Sequence, residues 1–142
     1  MNDAQINLVK ATWESLTPGA DEVAHLFYSN LFEMEPKYRE MFGTDMESQG
    51  KKLMMMLNTA VRSLDAIEAV VPAVQALGQR HVKYGVVADD YTAVGAALLK
   101  TLEQGLGDAF TEETQEAWTL TYGTLSGVMI EAAEEVEARG SA

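Results

Sequence analysis

His81 is one of only two histidines in the chain. It lies in a stretch from Asp65 to Tyr91, where Val70, Val74, Leu77 and His81 fall at i, i+4, i+7 and i+11. That spacing places the imidazole on the apolar stripe of a helix, near its C-terminal end ahead of Gly85, and turns it inward. An inward imidazole is either a hydrogen-bonded core residue or a ligand to something held in the interior. Three further residues depart from polar outside and apolar inside. Tyr28 follows Ala24 by four and precedes Leu31 and Phe32, so its ring joins an inward helical face. Gln49 heads an apolar stripe of Leu53, Met56, Leu57, Ala60 and Leu64, and Phe42 stands on a connecting turn. Each alone has an ordinary explanation: a buried tyrosine with a backbone partner, a helix-start amide in solvent, a loop anchor. Their joint spacing calls for a common one.

Composition narrows the chemistry. A net charge of -12 and a pI near 4.4 oppose binding to nucleic acid or to an anionic membrane surface, because the long-range field repels phosphate. With no cysteine there is no disulfide framework, thiolate metal site or cysteine nucleophile. Two histidines and no helix with paired Glu-x-x-His are too few ligands for a zinc or di-iron site. His25 sits among acidic, exposed positions and is predicted to face solvent. The start MNDAQINLVK has no signal-peptide pattern and no apolar run approaches about 18 residues, so a soluble protein of the cytoplasm is expected.

The elements that must position these residues are all helical. Pro is scarce while Ala, Leu, Glu and Met are plentiful, and 142 residues with 47% hydrophobic content suit one domain over 1–142. A first helix is predicted from an Asp3 cap to about Ser15, buried through Ile6, Val9 and Trp13. A second follows Thr17-Pro18-Gly19 and runs to about Met34, with Val23, Phe27, Leu31 and Met34 on its inner side. Glu35-Pro36 opens a short turn ending at Phe42, and Thr44 to Glu47 reads as a capping box for the Gln49 helix. Asp65 with Glu68 can cap the His81 helix, and Asp89 one whose inner face is Tyr91, Val94, Leu98 and Leu102, ended by Gly105 and Gly107. Thr111 opens a long last helix carrying Trp118, Thr121, Tyr122, Leu125, Val128 and Met129, expected to fray in the acidic tail.

LFYSNLF around Tyr28, EPKYREMF ending at Phe42, SQGKKL with Gln49 and Leu53, LGQRHVKYGV around His81, DDYTAVGAALLKTL and EAWTLTYG span most of the chain. In these pieces the sequence resembles the bacterial single-domain globins related to the haem domain of flavohaemoglobins, and the resemblance implies an all-α, three-over-three globin fold enclosing haem b. It makes His81 the proximal iron ligand and Phe42 the aromatic on the porphyrin face. Tyr28 and Gln49 become polar distal residues with Leu53 closing the pocket between them. Tyr91 falls beside the proximal histidine, with Tyr122 behind it in the core. Leu57, Val86, Val94 and Leu98 complete the cofactor lining, and Arg80 and Lys52 are the candidates for the propionates.

The chemistry of the residues agrees with that placement. One neutral imidazole can hold haem iron from one side and leave the opposite position open to a diatomic ligand. An oxygen ligand that draws charge from ferrous iron is well served by a Tyr hydroxyl and a Gln amide as donors. Direct ligation of the iron by either distal residue in the gas-free state fits the same residues. In the run Met54-Met55-Met56 helical spacing turns only part inward, which favours core packing over an axial thioether.

There are two departures. Flavohaemoglobins continue into a flavin and nicotinamide reductase, which this sequence does not contain. They also set a Glu of the last helix against the proximal histidine, where ungapped counting from Tyr122 finds Ala133. His81 is therefore expected to donate to a backbone carbonyl or to water. The resemblance implies reversible binding of oxygen and of NO and CO. Its enzymatic alternative is nitric oxide dioxygenation with a separate reductase, and a third reading is a haem-free sensor or interaction module.

Overall fold

A computed structural model describes residues 2–41, 46–83 and 87–140, with side chains through 40, from 46 to 82, and from 87 to 136. Its α-helices are α1 (Asp3–Leu16), α2 (Ala20–Met34), α3 (Met46–Arg62), α4 (Val71–Lys83), α5 (Ala88–Leu106) and α6 (Glu112–Gly140). Four 3-10 turns join them, at Thr17–Gly19, Pro36–Met41, Leu64–Ala69 and Gly107–Ala109. No strand occurs among the described residues, and none of their helices is long and apolar enough to cross a membrane.

The helix starts differ from the predicted caps in instructive ways. For α1 the cap is Asn2, one residue before Asp3: its Oδ1 accepts from Gln5 N at 2.9 Å, and its own N–H donates to Gln5 Oε1 at 3.0 Å. This reciprocal pair satisfies two of the otherwise orphaned donors. Asp65 does not cap the His81 helix but meets Lys10 at 3.2 Å, because it lies within a 3-10 turn anchored by buried Leu64, six residues ahead of the start of α4 at Val71. At α5 the acid that closes the first turn is Asp90, whose Oδ2 accepts from Val87 N at 2.9 Å, while Asp89 is exposed. The helix α6 does not fray in its acidic stretch but continues to Gly140, with Ala132 and Ala133 buried on its inner side. A continuing apolar face holds a helix together where its charged face does not.

The main core gathers Val9, Trp13, Phe27, Leu31, Leu57, Val61, Leu98, Leu102 and Trp118 from α1, α2, α3, α5 and α6. Two indoles pin it: Trp13 Nε1 donates to Asn58 Oδ1 at 3.0 Å and Trp118 Nε1 to Thr12 Oγ1 at 2.9 Å. A second, smaller cluster of Ala60, Val74, Tyr91, Leu125 and Met129 lies where α4 packs along α6. Met34, predicted on the inner side of α2, is 40% exposed, since it is the last residue of its helix. Among the described residues α4 has its extensive packing with α6, whereas α3 packs on α1 and α2. The helix with His81 and the helix with Gln49 thus belong to different packing partners.

The α4–α6 crossing depends on Gly78. A Cβ there would lie 2.5 Å from Met129 O and 2.7 Å from Met129 Cα, both backbone atoms. Backbone cannot step aside as a flexible side chain does, so Gly78→Ala is expected to separate the helices and cost about 1–3 kcal/mol. Thermal melts should show a lower Tm; an unchanged Tm would mean that α4 sits further from α6 than these distances say.

Candidate functional site

His81 is partly buried in the last turn of α4, where the apolar stripe predicted from Val70 onward faces α6. Its Nδ1 lies 3.1 Å from the hydroxyl of Tyr91, with the two rings 6.0 Å apart and inclined at 45°. Burial, helped by the neighbouring Arg80 charge, holds the imidazole pKa below its ordinary value. A neutral ring therefore prevails near neutral pH, with Nδ1 engaged by Tyr91; in the tautomer with the proton on Nδ1, Nε2 carries a lone pair suited to a metal. The partner of His81 is thus a phenol hydroxyl rather than the expected backbone carbonyl or water.

Tyr91 is itself held in place. It is 6% exposed in the first turn of α5, and its carbonyl oxygen accepts from the Tyr122 hydroxyl at 2.6 Å. Gly95 makes room for that bond, since a Cβ at this position would stand 2.7 Å from Tyr122 Cε2. Burial raises the pKa of both phenols, so they remain hydroxyl groups across the physiological range. Ala133 is buried on α6, while Glu131 and Glu134 are exposed.

A second group forms where α2 meets α3. Tyr28 is 8% exposed, its ring edge-on to Phe27 at 5.2 Å and stacked with Phe32 at 5.9 Å. Its hydroxyl donates to the backbone carbonyl of Gln49 at 3.3 Å, a long bond made to main chain rather than to the Gln49 amide. Burial pushes the phenol up to about 12, which keeps it a donor. Gln49 and Leu53 are partly buried and Leu57 is buried along the same helix. On α5, Val94 is partly buried and Leu98 is in the core.

Of the remaining predicted residues, Arg80 and Lys52 are exposed, as is His25. Phe42 and Val86 lie outside the described residues, as do Thr44 and Gly85. In the methionine run Met54 is buried in the main core, Met56 is partly buried against it and Met55 is 70% exposed. Sequence reading overlooked Tyr38 and Asp90, both buried and joined at 2.6 Å. Tyr38 stands in a six-residue 3-10 turn too short for periodicity to reveal an inner face, and adjacent Asp89 and Asp90 look equivalent in sequence.

These residues suit an iron tetrapyrrole. A neutral, partly buried imidazole with one nitrogen already hydrogen-bonded is the kind of donor such an iron takes, Tyr91 beside it belongs to the smaller apolar cluster, and Tyr28 belongs to the main one.

The globin family profile matches residues 25–129. A flavohemoprotein of Pseudomonas aeruginosa is 30% identical over 97% of this chain and 36% of its own length. One of Vibrio cholerae is 26% identical over 92% of this chain and 34% of its own length. The chain spans about a third of the length of the curated relatives it matches. Among solved structures, a bacterial globin from Campylobacter jejuni superposes with a TM-score of 0.87 at 26% identity, covering 96% of this chain and 99% of its own. A candidate nitric oxide dioxygenase from Rhodothermus marinus, engineered as a carbene transferase, gives a TM-score of 0.89 at 27% identity over 100% of this chain and 99% of its own.

Proposed function

The chain belongs to the globin family and has the globin fold, and from that premise we propose that it binds haem b through His81 and takes up oxygen reversibly, in the cytoplasm, under Tyr28 and Gln49. The observation that carries this reading is the hydrogen bond between His81 Nδ1 and the Tyr91 hydroxyl: with Nδ1–H donating to the phenol oxygen, Nε2 holds the lone pair that iron takes. Haem, when bound, would supply an iron able to take a diatomic ligand such as oxygen, NO or CO. His81 would hold the cofactor through Nε2, and Tyr91 would orient the imidazole ring through Nδ1. By the family resemblance Phe42 would pack on the porphyrin. Tyr28 and Gln49 would offer donors to the ligand, Leu53, Leu57, Val86, Val94 and Leu98 would keep water from it, and Arg80 and Lys52 would meet the propionates. The test is an absorption spectrum of the purified, haem-supplied protein. A Soret band that moves on reduction and again on adding CO is expected; the lack of any Soret band would leave a haem-free sensor or interaction module.

A second reading, nitric oxide dioxygenation with a separate reductase, is favoured by relatives named flavohemoproteins and by the Rhodothermus neighbour. It requires NO consumption through many turnovers once a reductase is added. Stoichiometric consumption under those conditions keeps reversible binding in front.

The buried Ala133 bears on that choice. A carboxylate paired with a ligating imidazole strengthens it as a donor and assists O–O chemistry, whereas a phenol hydroxyl is a weaker acceptor. Ala133→Glu is expected to raise the iron–histidine stretching frequency of the ferrous protein and to speed its reaction with peroxide. A frequency already high in the unmodified protein would mean that another acid serves His81, and would move the enzymatic reading ahead.

A further inference from the structure

The hydrogen bonds around the start of α5 extend beyond the histidine and its tyrosine. Tyr38, in the 3-10 turn Pro36–Met41, is 4% exposed, and its hydroxyl donates to Asp90 Oδ1 at 2.6 Å. Asp90 is 6% exposed, and its other oxygen, Oδ2, accepts the Val87 N–H at 2.9 Å. Both carboxylate oxygens are therefore engaged, one by the first turn of its own helix and one by a side chain 52 residues away in sequence. An O–H···O contact of this length to a carboxylate belongs to the short, charge-assisted class.

A cap alone does not call for this arrangement. Burying a carboxylate costs desolvation energy, and a first-turn acid normally works at the surface, where Asp89 stands exposed one residue earlier. Among the described residues no Lys or Arg pairs with Asp90, so the phenol supplies the compensating donor. What the pair secures is the backbone at Asp90 and hence the direction of the next side chain, Tyr91. That residue is gripped on both sides, by Tyr38 through Asp90 and by the Tyr122 hydroxyl on its own carbonyl at 2.6 Å. Its hydroxyl then meets His81 Nδ1 at 3.1 Å.

We propose that Tyr38 and Asp90 are positioning residues for His81, acting through Tyr91 to set the orientation of the imidazole from the turn Pro36–Met41. The functional meaning of this arrangement rests on the reading of His81 as an iron ligand, but the positioning itself does not need the cofactor. In sequence Tyr38 precedes Phe42 by four residues, so the same turn connects the segment carrying the proposed porphyrin-facing aromatic to the first turn of α5. Within its own turn Tyr38 is steadied by Lys37, whose Nζ lies 5.3 Å from the ring centroid.

The test reads the His81 ring nitrogens by nitrogen-15 NMR, in the CO-saturated ferrous protein if it binds haem and in the protein as purified if it does not. Tyr91→Phe establishes the shift caused by losing the Nδ1 hydrogen bond. Tyr38→Phe keeps the ring and removes only the hydroxyl; it is expected to move the His81 resonance part of the way toward the Tyr91→Phe position, and to add nothing in a Tyr91→Phe background. A merely structural role for Tyr38 would alter stability and leave this resonance alone. Should Tyr38→Phe fold poorly, Asp90→Asn tests the same path, since a carboxamide keeps one acceptor oxygen where the carboxylate has two; it is expected to shift the resonance in the same direction. A His81 signal superimposable on wild type in the folded variant overturns the proposal. Lack of haem with the expected shifts overturns the iron-ligand reading alone.

Discussion

Replacing His81 with Ala is expected to strip the protein of haem. Losing an outer-shell partner of a metal-bound histidine already costs about 10- to 100-fold in affinity, and removing the ligating nitrogen itself should cost more. The other histidine cannot substitute, because His25 is exposed on α2. Met54 is committed to the main core and Met55 points to solvent, so the thioethers offer no ready replacement. The measurement is haem content after purification, with and without added imidazole, since a small ligand can occupy the space left by the side chain. Restored binding with imidazole is the expected signature. Full haem retention with an unchanged spectrum would sink the proximal assignment and force another ligand onto the iron.

Tyr28→Phe is expected to speed oxygen release by about tenfold to a hundredfold, the equivalent of the roughly 1.5–3 kcal/mol that a hydrogen bond to a charged acceptor contributes. The substitution keeps the ring between Phe27 and Phe32 and takes away only the hydroxyl. That hydroxyl donates to the Gln49 carbonyl at 3.3 Å, a long bond. With its pKa pushed to about 12, the phenol stays protonated well above neutral pH. The raised pKa also predicts a stability term that is fully present below pH about 10 and lost as pH climbs toward about 12, where the folded state must give up a proton it holds more tightly than the unfolded chain does. Stopped-flow displacement gives the off-rate directly, and an unchanged rate would show that Tyr28 does not touch the ligand. Because Tyr28 bonds to the main chain of Gln49, Gln49→Leu leaves that contact in place and reports on the amide alone. The two effects are not expected to add, since both donors serve one ligand.

His81, Tyr28, Leu57 and Leu98 were legible because each sits in a long helix whose 3.6-residue period marks an inner face, and burial then follows from the pattern itself. The capping residues were less legible. Asp3, Asp65 and Asp89 all satisfied the local chemistry of a cap, yet Asn2 stands in the first of those roles and Asp90 in the last, and Asp65 pairs with Lys10 instead. A cap is worth about 1 kcal/mol, and the docking of a neighbouring element readily overrides it: Asp65 is drawn to Lys10 of α1, and Asp90 is drawn inward by Tyr38.

Helix content, the inward faces and the residues able to ligate or donate are properties of the amino-acid sequence read alone, because period and side-chain chemistry are local. Which atoms those residues turn toward one another is not. The hydroxyl on His81 Nδ1, the main-chain carbonyl under Tyr28 and the buried Tyr38–Asp90 bond each join segments 10, 21 and 52 residues apart. The first of them rests on close approaches between helices: Gly78 brings α4 down onto Met129, and Gly95 admits the ring of Tyr122, whose hydroxyl holds Tyr91. Those close approaches are set by packing between whole helices, so hydrogen-bond partners in the site were decided by tertiary structure and had no local signal to read.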